Sequence, residues 1–150
     1  MQYPVDDFTP TFADLVHLDA RFETKVRVLS WEEGNRVLPR SRGGCWEWTG
    51  YVNWSGANKT VPYGRLRRPR AGCRASAVYA HKYVWELFYG AYPEGEESHH
   101  DCQNTLCVHP GHCGPIDPYL HDQIHLECVR NLGSWAQPGR GIKPWLIPHP

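Results

Sequence analysis

Between Ser98 and Cys113 the chain reads Ser-His-His-Asp-Cys-Gln-Asn-Thr-Leu-Cys-Val-His-Pro-Gly-His-Cys. A histidine pair, His99 and His100, precedes two cysteines, Cys102 and Cys107, and His112 follows the second of them. Thiolate and imidazole are the soft and borderline ligands that hold a structural zinc ion. Cys102, Cys107 and His112 therefore read as a metal knuckle. His100 lies two residues before the first cysteine, where a rigid knuckle could aim its ring at a substrate. The chemistry implied is that of a metal-braced catalytic loop, and other parts of the chain must complete it.

The bulk properties frame what can position such a loop. A chain of 150 residues builds one domain, and two would each be short of core. The hydrophobic fraction of 41% is low, so a small core needs a staple. Six cysteines would make three disulfides in a secreted protein. The N-terminus, Met1-Gln-Tyr-Pro-Val-Asp-Asp, has neither the basic region nor the apolar run of a signal peptide. No segment is apolar enough to span a membrane. A cytoplasmic, reducing compartment is expected, where clustered cysteine and histidine mean metal. Net charge is zero, so global charge gives no sign of a nucleic-acid partner. Arg65, Arg67, Arg68, Arg70 and Arg74 nevertheless crowd one short stretch.

The elements follow from pattern. Phe12, Leu15, Val16 and Leu18 suit a short helix, and Phe22 to Leu29 a second short element. Cys45-Trp-Glu-Trp-Thr-Gly50 alternates as a strand does. Asn53 to Thr60 reads as a turn-rich connection, and Tyr63 to Arg68 as a strand with Arg65 and Arg67 on one face. Ser76 suits the N-cap of a helix over 77–89, ended by Gly90. Within it His81 reads as a core histidine, and Trp46, Trp48 and Trp85 as core. Glu97 to Asp101 predicts a short strand, with Cys107 to His109 as its return. Asp117-Pro118 starts a last helix that runs to about Asn131 or Leu132. His121 then falls in its first turn, and His121, His125 and Cys128 share a face. The expected organisation is an N-terminal extension over 1–40 packing on a core over 41–132, then an extended Pro/Trp-rich tail over 133–150.

With these elements in order, the chain resembles the HNH endonucleases, in particular the zinc-braced branch of phage HNH proteins and His-Cys box homing endonucleases. The residues that carry the resemblance include Cys45-Trp46-Glu47-Trp48-Thr49-Gly50, Tyr63-Gly64-Arg65, Ala80-His81, Glu86-Leu87-Phe88-Tyr89-Gly90 and Pro93-Glu94-Gly95. They continue through His100, Cys102, Asn104, Cys107, Pro110, His112 and His121. The resemblance implies an α+β fold, a zinc-stabilised ββα-metal core preceded by a β-hairpin or meander and a helix. It implies His100 as general base, Asn104 as the loop brace, and Cys45 as fourth zinc ligand beside Cys102, Cys107 and His112, with Cys113 as competitor. His121 takes the place of the residue that holds a catalytic divalent ion.

One position departs from the pattern. Many members carry an aspartate directly before the base as a second metal ligand, and this chain has His99. His109 likewise stands where asparagine is common. Phosphodiester hydrolysis needs an activated water, charge neutralisation and help for the leaving oxygen. A base whose ordinary pKa is ~6.5 suits the first, and Mg2+ or another divalent cation the others. The base's second ring nitrogen needs an acceptor that the sequence does not name. Arg65 is the candidate phosphate clamp, and Arg65, Arg67, Arg68 and Arg70 are candidate DNA contacts. Cys73, Cys113 and Cys128, with His125, are candidates for a second zinc site. The function expected is metal-dependent nicking or double-strand cleavage of double-stranded DNA. The alternative is a non-catalytic zinc-finger DNA-binding module. A homodimer, and roles in homing, restriction or phage packaging, stay open.

Overall fold

A computed structural model describes residues 9–34, 38–56, 59–68 and 76–132, the last six of them by backbone only. The expected tail over 133–150, Arg70 and Cys73 lie outside the described residues, as does the side chain of Cys128. Helix α1 (Phe12–Leu18) opens on a capping box: the Thr11 hydroxyl accepts from the Asp14 amide, and the Asp14 carboxylate accepts from the Thr11 amide. This satisfies amide donors that the helix's own ladder leaves unpaired. Asp19 ends α1 and caps the 3-10 turn Ala20–Thr24.

β1 (Val26–Val28) pairs antiparallel with β2 (Trp46–Trp48). β3 (Val52–Ser55), β4 (Val61–Arg68) and β5 (Ser76–Tyr79) form an antiparallel meander in that order. Helix α2 (Ala80–Tyr89) follows β5 directly and stops at Gly90, whose φ of 90° suits glycine. β6 (Glu97–His100) and β7 (Cys113–Ile116) pair antiparallel, and α3 (Pro118–Leu132) closes the unit. The fold is α+β, with a ββα core behind a meander and a helix.

Three local expectations are corrected. The connection placed over Asn53 to Thr60 begins with a strand, β3, because Val52 to Ser55 complete the ladder beside β4. The helix placed from residue 77 starts at Ala80, since Ser76 to Tyr79 pair with Arg65 to Arg68 instead. The return strand is β7, not Cys107 to His109. Pro115 and Gly114 disguise it, yet a two-stranded ribbon has only edges, where proline is tolerated.

The main core joins Leu15 and Phe22 to Trp46, Trp48, Ala80, Val84 and Val108. Trp48 packs against the meander, and a Cβ on Gly64 would come within 2.5 Å of its ring. Gly64→Ala should therefore cost about 1–3 kcal/mol, the usual penalty for overpacking. A lowered urea midpoint for the zinc-loaded protein is expected. An unchanged midpoint would mean that Trp48 does not seal this sheet.

Candidate active site and metal centres

Cys45, Cys102, Cys107 and His112 converge with their ligand atoms all within 4.8 Å of one another, each residue buried. The His112 Nδ1 lies 3.8 Å from Cys45 Sγ and 3.7 Å from Cys107 Sγ. Tetrahedral zinc with ordinary bond lengths requires ~3.6 Å between such atoms, so the cluster fits that ion. His112 Nε2 donates to the Arg42 carbonyl at 2.7 Å, which leaves Nδ1 as the ligand atom. Hydrogen bonds from Cys102 and Cys107 hold the Cys45 thiol far below its ordinary value, whereas burial pushes Cys102 and Cys107 up. Such a pocket supports one thiolate alone, and a dication is what lets all three ionise.

The expectation that Cys45 outcompetes Cys113 agrees with this geometry. Cys113 is buried and uncharged, its thiol directed at the His109 carbonyl 3.4 Å away. It does not meet His125, so these two share no metal cluster among the described residues.

The knuckle is bolted to β2. Trp48 donates to the Leu106 carbonyl and Val108 to the Trp46 carbonyl, each at 2.8 Å. Asn104 accepts from the Leu106 amide and donates to Glu47, so it braces the loop instead of touching a reacting group. This strip fixes the Cys107 carbonyl, and His100 Nε2 donates to that carbonyl at 3.1 Å. The acceptor missing from the sequence is thus the backbone of a residue in the cysteine–histidine cluster. His100 is left with a bare Nδ1. Its ring packs edge-on against His81, centroids 4.6 Å apart. Burial lowers the His100 pKa to about 4, so the ring is neutral at physiological pH. His81 is buried and neutral for the same reason.

Alternation along β6 gives the histidine pair two destinations. His100 turns toward α2 and the meander. His99 turns toward α3, where its ligand atom and those of His121 and His125 lie within 4.8 Å of one another. Asp117 caps α3 by accepting from the Tyr119 and Leu120 amides, which sets His121 and His125 one turn apart. Glu97, on the His99 face of β6, accepts from His121 Nδ1 at 2.6 Å and leaves Nε2 toward the cluster. Asp101 approaches His99 from the other side at 3.4 Å. Burial and the neighbouring His121 lower the His125 pKa, which suits a neutral ligand. The donor set fits a divalent transition ion, since three imidazoles make a borderline site. Sequence reasoning grouped His125 with cysteines. The helical His-x-x-x-His spacing from His121 was the signal to follow.

The arginine run divides. Arg65 donates to the Ala77 carbonyl at 3.2 Å and lies over the Tyr79 ring at 4.6 Å. Arg67 is exposed, while Arg68 pairs with Glu86 on the opposite face of β4. His109 stacks between Trp46 and His112, and burial takes its pKa to about 3. It is a packing residue.

Residues 78–112 match the HNH endonuclease family model. Over this segment the chain is similar to the HNH endonucleases. The match runs from the end of β5 to His112 of the cysteine–histidine cluster, and the resemblance read from the sequence is borne out there. It supports a nuclease-type function. No curated protein and no solved structure matches the chain.

At least one zinc per chain is expected from mass spectrometry of the native protein. Cys102→Ser should lose both the zinc and cooperative unfolding, because structural zinc binding is worth ~10–16 kcal/mol in small zinc folds. A Cys102→Ser protein that folds normally without zinc would refute the assignment.

Proposed function

We propose that this protein is a metal-dependent DNA endonuclease in which His100 is the general base and His99, His121 and His125 hold the catalytic ion. The observation that carries the reading is the bare Nδ1 of His100, fixed by the Cys107 carbonyl and next in sequence to His99 of a three-histidine cluster. His100 Nδ1 takes a proton from water as the water oxygen bonds to phosphorus, and the P–O3′ bond breaks. A positioned base of this kind contributes on the order of 10²–10⁴-fold. A docked phosphodiester anion raises the base's pKa, since it favours the protonated ring. A divalent ion in the cluster, once bound, supplies Lewis-acid stabilisation of charge on the phosphate and leaving oxygens.

The cluster changes the expected ion. Mg2+ prefers oxygen ligands, whereas imidazoles favour Mn2+, Co2+, Ni2+ or Zn2+. The structural zinc takes no part in the chemistry, because four protein ligands leave no open position. Arg65, the candidate phosphate clamp, is engaged by the Ala77 carbonyl and the Tyr79 ring, and no phosphate is assigned to it. The non-catalytic alternative took His99 as the sign of a lost metal site. His99 joins His121 and His125 instead, which removes its main support. A reducing, cytoplasmic setting suits the cysteine cluster.

Supercoiled plasmid incubated with the protein should be nicked or linearised with Mn2+, Co2+ or Ni2+ at lower concentrations than with Mg2+. His100→Ala should lose at least about 100-fold in rate with its zinc and fold intact. His125→Ala should raise the concentration of ion needed by about 10- to 100-fold. Cleavage that is indifferent to both substitutions would sink the proposal.

A further inference from the structure

A cleft of about 660 Å3 runs beside the meander, apart from both metal clusters. Its volume falls within the range of small-ligand sites. The floor is apolar and aromatic, with Phe22, Trp48 and Leu66. The rim is cationic, and its cations differ in availability. Arg21 is paired with Asp19, and Arg65 is occupied by Tyr79 and Ala77. Lys25 and Arg67 are exposed and make no ion pair among the described residues. Tyr51 also lines the cleft and is 74% exposed, so its ring is open to a planar partner. Asn53 beside it offers an amide donor and acceptor.

Phosphate alone would account for the two available cations and leave the aromatic surface without use. A planar base alone would leave the cations without use. A nucleotide satisfies both, because base–aromatic stacking and backbone charge are the two terms that hold single strands. We propose that this cleft is a nucleotide subsite of the nuclease. One unpaired nucleotide of the DNA substrate stacks on Tyr51, and its flanking phosphates meet Lys25 and Arg67. The inference rests on the endonuclease reading and narrows its substrate to DNA with an unpaired or displaced nucleotide near the cut.

β4 sets the spacing. It lines the cleft from Arg65 to Arg67 and carries Tyr63, whose ring centroid lies 6.2 Å from that of His100. A strand rises ~3.4 Å per residue, so Arg67 stands ~14 Å along β4 from Tyr63. That equals roughly four base-pair steps of duplex, at ~3.4 Å each. The nucleotide in the cleft and the phosphate at the base therefore belong to the same bound strand region.

The test uses full-length, zinc-loaded protein carrying His100→Ala, so that DNA stays intact during titration. Fluorescein-labelled duplex is compared with the same duplex bearing one unpaired nucleotide, by anisotropy. The unpaired-nucleotide duplex should bind at least about 5-fold tighter. Tyr51→Ala should weaken that duplex by about 5- to 100-fold and leave the paired duplex unchanged. Lys25→Gln combined with Arg67→Gln should weaken both DNAs and flatten the salt dependence by nearly two counterions. Tyr51 is exposed, so its truncation spares the fold. Equal affinity for the two duplexes, or a Tyr51→Ala effect that is absent or shared by both, overturns the subsite. Failure of the nuclease reading shows separately, as unsubstituted protein that cuts no DNA with any of the divalent ions.

Discussion

Cys45 and His112 lie sixty-seven residues apart in sequence, and their ligand atoms are 3.8 Å apart in space. That convergence is the constraint on which the rest depends. Cys45 leads into β2, Cys102 and Cys107 form the knuckle after β6, and His112 leads into β7. A second buried cluster, with Leu29 and Leu38 beside the three cysteines, is too small to hold these segments by itself. The remaining work falls to metal binding, as it does in small domains whose apolar area is limited. Arg42 shows how closely the site is woven. Its carbonyl orients His112, its guanidinium donates to the Gly111 carbonyl, and Asp101 lies 3.7 Å from it.

The functional consequence runs through one backbone carbonyl. Cys107 belongs to the cysteine–histidine cluster that fits zinc, and its carbonyl accepts from His100. In the proposed reading, an ion that folds the knuckle also fixes the tautomer of His100. The two-residue period of β6 then separates the two histidines: His100 goes to one face of the ribbon and His99 to the other. A single strand end so supplies a proton acceptor and a metal ligand without either occupying the other's place. α3 completes the second site, because its cap at Asp117 sets the register of His121 and His125.

Much of this was legible because metal chemistry is local. Cys102, Cys107 and His112 announce a zinc site by type and spacing, and the Asp117-Pro118 start fixes α3. The distant Cys45 came from resemblance, not from the residues alone, since no local spacing ties it to the knuckle. What escaped the sequence depends on tertiary pairing. Ser76 is a good N-cap, yet β4 offers its neighbours a ladder that outweighs local helix preference. Pro115 argues against a strand until its place at an edge is known. Arg65 and Arg68 look alike in sequence, but opposite faces of β4 send one to Tyr79 and the other to Glu86. His125 joins His121 on its own helix, but its other partner, His99, comes from β6, which no local spacing reveals.

The central claim is that the zinc knuckle sets the protonation pattern of the base. Nitrogen-15 NMR of the His100 ring measures this directly in the zinc-loaded protein. The account predicts a protonated Nε2 and an unprotonated Nδ1, with the ring averaging between tautomers once the zinc is removed. A ring protonated at Nδ1, or one whose tautomer is unchanged by zinc removal, would contradict it.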